Sequence, residues 1–222
     1  MLINESPLGD GISKVELLAR LGTDLTVVNA ARVSMGKMST ELDERDEKLI
    51  NYLAKHGHWT PFSQPQLQFR IKMPIFVARQ WFKHQEGFTR NEISRRYVSE
   101  EPQLYVPELW RGKAVNVKQG SAGVKEDSEE WYEIALAHAK YCIETYNLFI
   151  KGGVCPEQAR MLLPQSMYTE FVETASLAAY ARLTKQRLDP HAQEEIRAYA
   201  ETIAGYLATT FPKSWKALSN NY

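Results

Sequence analysis

The run Lys83-His84-Gln85-Glu86-Gly87-Phe88-Thr89-Arg90-Asn91-Glu92-Ile93-Ser94-Arg95-Arg96-Tyr97 is the densest polar constellation of the chain. In an extended stretch Glu92, Ser94 and Arg96 point to one face, because successive side chains alternate. A guanidinium presents a planar fork of N–H donors and a serine hydroxyl a small one, so this face suits phosphate or carboxylate. Glu92 disfavours a purely anionic ligand and favours one with a donor end, as a nucleotide base with its phosphate has. The same charges also read as a solvated corner between a helix and a strand, and composition alone does not choose between the two. A second basic set comprises Arg160, in Ala159-Arg160-Met161-Leu162-Leu163-Pro164, with Arg182 and Arg187 near Asp189-Pro190-His191. Arg160 reads as part of an otherwise apolar helix, where a guanidinium calls for an anionic partner: a ligand, or Glu157 or Glu173.

Other chemistries have less support. His56-Gly57-His58 lacks the clustered carboxylates or thiols of a metal site, so helix-end and packing roles are expected and no metal is assigned. No Gly-x-Gly-x-x-Gly, Gly-x-Ser-x-Gly, Walker loop or His-Glu-x-x-His occurs. The 222 residues are 44% hydrophobic and 24% charged, which excludes global disorder, and 27 Lys+Arg balance 27 Asp+Glu. No net field draws the chain to nucleic acid or membrane, so an anion site must be a local cluster. No apolar run approaches the roughly 18 to 20 residues that span a bilayer. Met1-Leu2-Ile3-Asn4-Glu5 lacks the pattern of a secretory leader, and a cytoplasmic location is expected. Cys142 and Cys155 are expected to be buried free thiols.

The elements that must position these residues follow from periodicity. From Asp43, Leu49, Ile50, Leu53 and Ala54 mark an amphipathic helix closed near His56-Gly57. Leu67, Phe69, Ile71 and Met73 alternate with polar residues, the period of a half-buried strand, and Pro74 opens a helix expected over 75–85. Residues 89–97 read as a loop leading into a short extended piece. The stretch 105–130 reads as an irregular surface excursion. Asp127 and Glu130 resemble a capping box before a long helix that ends at Gly152-Gly153. A further helix is expected from Pro156, apolar patterning continues to Leu183, and a last helix is expected from Pro190 to about Thr210. Without repeats or linkers, the economical answer is one mostly helical α+β domain.

Ala78-Arg79-Gln80-Trp81-Phe82 with His84, then Asn91-Glu92-x-Ser94-x-Arg96-Tyr97, resembles the signature of the flavin-dependent thymidylate synthases, Arg-His-Arg, seven residues, Ser. Further blocks are similar to the family's and stand in its order: Ala30-Ala31-Arg32-Val33-Ser34, Lys55-His56-Gly57-His58-x-Thr60-Pro61-Phe62, Pro74-Ile75-Phe76-Val77, Leu163-Pro164, Tyr168-Thr169 and His191-Ala192-Gln193-x-Glu195-Ile196. The similar parts cover about residues 20–100 and 153–205.

The resemblance implies reductive methylation of dUMP to dTMP, with methylenetetrahydrofolate as carbon donor and NADPH-reduced FAD as hydride source. It implies a helix-rich α+β fold with a small, mostly antiparallel sheet, assembled as a homotetramer whose active sites are shared between subunits. By position, Gln80, Lys83, Glu92, Ile93, Ser94, Arg95, Arg96 and Arg160 would hold dUMP. Arg187 would stand against the pyrimidine and favour its N3-deprotonated form, and His58 would lie near the flavin ring, so these two are the catalytic candidates. Ser34, Thr60, Lys83, His84, Gln85, Asn91, Glu92, Arg182 and His191 would bind FAD. The chain departs from the pattern at Lys83-His84-Gln85, with eight residues before Ser94, and at Ser176, Ala178 and Arg182, where the family usually has Asn, Arg and Asn. Arg90 offers a replacement charge for the flavin or nucleotide phosphates. The alternatives are a flavin- and folate-dependent pyrimidine nucleotide hydroxymethylase and a nucleotide-binding homologue without redox activity.

Overall fold

The computed structural model of the chain describes residues 5–98, 100–115 and 120–221. In chain order the elements are β1 (Lys14–Leu21), α1 (Asp24–Arg32), α2 (Glu44–Lys55), β2 (Gln66–Pro74), α3 (Ile75–Trp81), β3 (Phe88–Glu92), β4 (Arg111–Lys113), β5 (Ser121–Val124), α4 (Ser128–Lys151), α5 (Pro156–Ala159), β6 (Tyr168–Ser176), α6 (Leu177–Arg187), α7 (Glu194–Thr210) and α8 (Pro212–Ser219). The fold is α+β, a mostly helical chain with a four-stranded sheet in the order β1-β2-β6-β3 and an antiparallel pair β4-β5. Packing groups the residues into two compact units. The first takes the described parts of Met1–Ile71, Lys83–Asn91 and Val172–Tyr222, and the second takes Lys72–Phe82 and Glu92–Phe171. Three of the four boundaries fall inside strands β2, β3 and β6 and the fourth directly follows α3, so no linker marks them in the sequence.

In the first unit, alternation on β2 buries Leu67, Phe69 and Ile71, which share a core with Val27, Val28, Ile50, Leu183, Tyr199 and Leu207. Helix starts are specified locally. Thr23 with Thr26 and Asp43 with Asp46 form reciprocal capping boxes on α1 and α2. Asp24 accepts the backbone N–H groups of Lys213 (2.9 Å) and Ser214 (2.9 Å), which satisfies donors at the start of α8. In the second unit Met73, Val77, Trp81, Cys142, Tyr146 and Phe171 are buried, and Phe82 meets Phe171 edge-on at 4.9 Å.

Several expectations are corrected. Helix α3 stops at Trp81 instead of Gln85. Residues 88–92 are strand where a loop was expected, and 95–97 form a turn. The excursion at 105–130 contains the hairpin-like pair β4-β5. The run from Ala159 to Leu183 is mostly strand β6 followed by α6, and α7 begins at Glu194, four residues after Pro190. Phe211-Pro212 separates α7 from α8, because proline is well suited to a first helical turn. Asp127 caps no backbone donor; its carboxylate accepts the Trp131 indole N–H at 2.9 Å instead. Cys142 is buried as expected, whereas Cys155 is exposed at the start of α5. Arg160 stands exposed in the short turn Arg160–Leu162, with its Nε donating to the Glu157 carbonyl at 3.3 Å. It therefore needs no buried counter-ion, and Glu173 has another partner.

Candidate active site

In the first unit, residues 83–91 lie along α6. The Arg187 Nε–H donates to the Nε2 of His84 at 3.0 Å. Arg182 donates to the Glu86 carbonyl at 2.9 Å. Arg90 donates through Nη1 to the His84 carbonyl at 2.7 Å and pairs through Nε with Glu173. Its guanidinium also lies 4.6 Å from the centroid of the Phe88 ring. Gly87 has φ +78°, and a Cβ there would stand 3.2 Å from the Ala179 Cβ, so glycine permits this close approach to α6.

Because Nε2 of His84 accepts, the ring proton belongs on Nδ1 and the imidazole is neutral. Its pKa is pulled down to about 4, first by burial and then by the charges of Arg187, Arg90 and Arg182. Burial also lowers the Arg187 pKa, although a guanidinium remains protonated at neutral pH. Since the unfolded chain takes up the His84 proton near 6.5 and the folded chain only near 4, stabilisation from this site is full above 6.5 and lost as pH falls towards 4. His84→Gln is therefore expected to flatten the loss of denaturant midpoint across that window. Parallel wild-type and variant profiles would contradict the assigned protonation.

Beside this segment is a cavity of about 800 Å³ with Trp59, Phe62, Glu86, Gly87, Arg182 and Lys185 among its walls. Ser176 and Ala178 at the start of α6 and Leu218 of α8 also line it. Its size lies within the usual range for small-molecule sites. Aromatic walls suit a planar heterocycle, and the two cations Arg182 and Lys185, at the middle and last turn of α6, suit its phosphates.

In the second unit, the Thr169 hydroxyl donates to Glu92 at 2.5 Å, and the Ile93 N–H bonds to the Glu170 carbonyl at 2.8 Å. The Arg96 Nε donates to the Ser94 hydroxyl at 3.3 Å, and its guanidinium lies 5.1 Å from the centroid of Tyr97. The expected common face of Glu92, Ser94 and Arg96 is corrected, because β3 ends at Glu92 and a turn follows. Arg95 bonds the Glu100 carbonyl, and Gln80 is half-buried on α3.

Residues 16–213 match the family described as Thymidylate synthase complementing protein. The chain belongs to this family. It is 39% identical over 207 residues to a flavin-dependent thymidylate synthase of Thermus thermophilus, covering 93% of this chain and 76% of that one. It is also 39% identical over 207 residues to the enzyme of that name from Thermosipho africanus, covering 91% and 89%. Among solved structures, a UMP/dUMP methylase from Streptomyces cacaoi bound with 5-Br dUMP superimposes with a TM-score of 0.84 at 28% identity, covering 94% of this chain and 95% of that one.

For this member of the thymidylate synthase complementing protein family, the structure brings His84 and Arg187 together and places Arg182 with the departing residues Ser176 and Ala178 on the cavity wall. Ser34, His58, Thr60, Lys83, Gln85, Asn91 and His191 are exposed and are not among the lining residues. Ser34 donates to the Ala31 carbonyl at 2.9 Å, the His58 ring lies 6.0 Å from Tyr52, and His191 faces Asp189 at 3.0 Å. Arg90 is committed to Glu173 and His84, which corrects its assignment as a spare phosphate charge. Trp59, Lys185 and Leu218 carry no site signal of their own in the sequence, and Phe62 stands there only as the end of a family block. Only as a pair do the two aromatics carry one, as large rings flanking Thr60-Pro61. No group of three or more His, Cys, Asp and Glu that could hold a metal occurs among the described residues. No helix among them is long and apolar enough to cross a membrane.

Proposed function

We propose that this chain carries out the reductive methylation of dUMP: dUMP, methylenetetrahydrofolate, NADPH and a proton give dTMP, tetrahydrofolate and NADP⁺. The observation that carries the reading is the match to flavin-dependent thymidylate synthases along 207 residues. The aromatic and cationic cavity supports FAD as the cofactor: Trp59 and Phe62 would hold the heterocycle, and Arg182 and Lys185 would hold the phosphates. When bound and reduced, FAD supplies the hydride that turns the transferred carbon into a methyl group.

The chain's own task is to bind and to activate. Arg187, with its Nε fixed by the neutral His84, supplies a stationary cation for the pyrimidine. Such a cation stabilises the N3-deprotonated base and makes C5 more nucleophilic without a thiolate from the enzyme. By the family's pattern Ser94, Arg95 and Arg96, with Gln80, Glu92, Ile93 and Arg160, would take the sugar and phosphate, and His58, which is exposed and outside the cavity lining, would serve the flavin from elsewhere. Because the Arg96 guanidinium is exposed, its contact with phosphate is worth a charged hydrogen bond. Arg96→Ala is accordingly expected to weaken dUMP binding by about 1.5 to 3 kcal/mol. An unchanged dissociation constant in calorimetry would reassign the residue to structure.

Assembly as a homotetramer in the cytosol completes the reading. Self-association is supported by Ile134, Tyr141 and Leu148, exposed at seven-residue spacing along α4, and light scattering of the purified protein tests the tetramer. Activity is tested by supplying FAD, NADPH, methylenetetrahydrofolate and dUMP. The expected product has the mass of dTMP; a hydroxymethyl product identifies a hydroxymethylase, and no turnover with added FAD sinks the enzyme reading. Likeness to a UMP/dUMP methylase favours a second reading in which UMP is accepted as well. The same assay with UMP decides it.

A further inference from the structure

Glu173 is fully buried on β6, in a strand whose other inward residues include Phe171 and Ala175. Its Oε2 pairs with the Arg90 Nε, and its Oε1 accepts the Tyr180 hydroxyl at 3.1 Å. Tyr180 is itself fully buried, with Phe69 and Phe88 edge-on to its ring at 5.5 Å and 5.2 Å. Burial, followed by the Glu173 charge, pushes the phenol well above its ordinary pKa, so it stays a donor.

An acid, a cation and a phenol in the core need a reason beyond stability. Buried ion pairs are often no better for folding than apolar side chains of similar volume. What apolar residues cannot do is aim two hydrogen bonds at a fixed angle. The planar fork of Arg90 does so, with one N–H on Glu173 and another on the His84 carbonyl at 2.7 Å. Tyr180 and Arg187 stand seven residues apart on α6 and so fall on one stripe. Segment 84–90 is therefore tied to that stripe at both ends, through Arg90, Glu173 and Tyr180 at one and through His84 and Arg187 at the other.

We propose that Glu173, Arg90 and Tyr180 form a positioning network that fixes the orientation and tautomer of His84 and, through the Nε of Arg187, the plane of that guanidinium. The proposal rests on the reading above that Arg187 activates the nucleotide base. None of the three touches substrate. They are positioning residues, and their loss costs turnover through misplacement.

The test is the double variant Arg90→Met/Glu173→Leu, in which both charges leave together and apolar volume replaces them. It is expected to unfold cooperatively near the wild-type temperature, to keep its dUMP dissociation constant, and to lose about 100-fold in kcat, the scale of a 1 Å misplacement. Nitrogen-15 NMR of the imidazoles, with His84 assigned by its absence in His84→Gln, is expected to show the Nδ1–H tautomer in the wild type and its loss in the double variant. Should that variant fail to fold, Glu173→Gln keeps the shape and removes the charge, and the same two readouts apply. A folded variant with wild-type kcat and an unchanged His84 tautomer overturns the network. Absence of dTMP from the wild type sinks the functional reading alone, because the tautomer measurement still decides the positioning network in either direction.

Discussion

Replacing Arg187 with alanine is expected to lower kcat by about 100- to 1,000-fold, the range for removing one electrostatic contact that strengthens toward the transition state. The effect should fall on kcat more than on dUMP affinity, because the cation is asked to stabilise charge that develops on the pyrimidine ring. Arg187 is the last residue of α6 and only partly buried, so the fold should survive the truncation. Its Nε–H is donated to His84, and alanine leaves that Nε2 acceptor to water or to a shifted side chain. Arg187→Lys is a sharper control. An ammonium preserves the charge but lacks the fixed planar donor, so activity should recover only in part. Steady-state kinetics with a thermal melt on each variant checks both, and a folded Arg187→Ala protein with near-normal kcat would remove the base-activation role.

The family was legible in the sequence because its resemblance is carried by short blocks in order, and β2 was legible because its alternation is uninterrupted from Leu67 to Met73. The next strand was hidden for a specific reason. At the middle of β6, between buried Phe171 and Ala175, the buried residue is Glu173 and its exposed neighbour is Val172, which locally inverts the hydropathy pattern that marks a half-buried strand. The end of α3 was hidden too. Lys83, His84 and Gln85 contain no helix breaker, yet the His84 carbonyl accepts from the Arg90 side chain and its ring accepts from Arg187. Those contacts are long-range, and local propensity does not report them. Phe211-Pro212 reads as a stop in one direction and as a start in the other, which is how α8 and the Leu218 wall of the cavity were missed.

The same partnership that obscured β6 sets the largest expected effect on stability. Glu173→Ala leaves the mostly buried Arg90 guanidinium without its carboxylate, and breaking a buried pair from one side typically costs about 3 to 5 kcal/mol. The Tyr180 hydroxyl loses its acceptor in the same step, so a second buried donor is left to find water or shift. Removing both charges avoids that penalty, since no unmatched ion remains, and Arg90→Met/Glu173→Leu should regain most of the loss. A double-mutant cycle by chemical denaturation measures the difference directly. Were Glu173→Ala to cost less than about 1 kcal/mol, the pair would be behaving like an exposed one. That outcome would mean that water reaches Arg90 and that the aim of its fork at His84 is set by something other than Glu173.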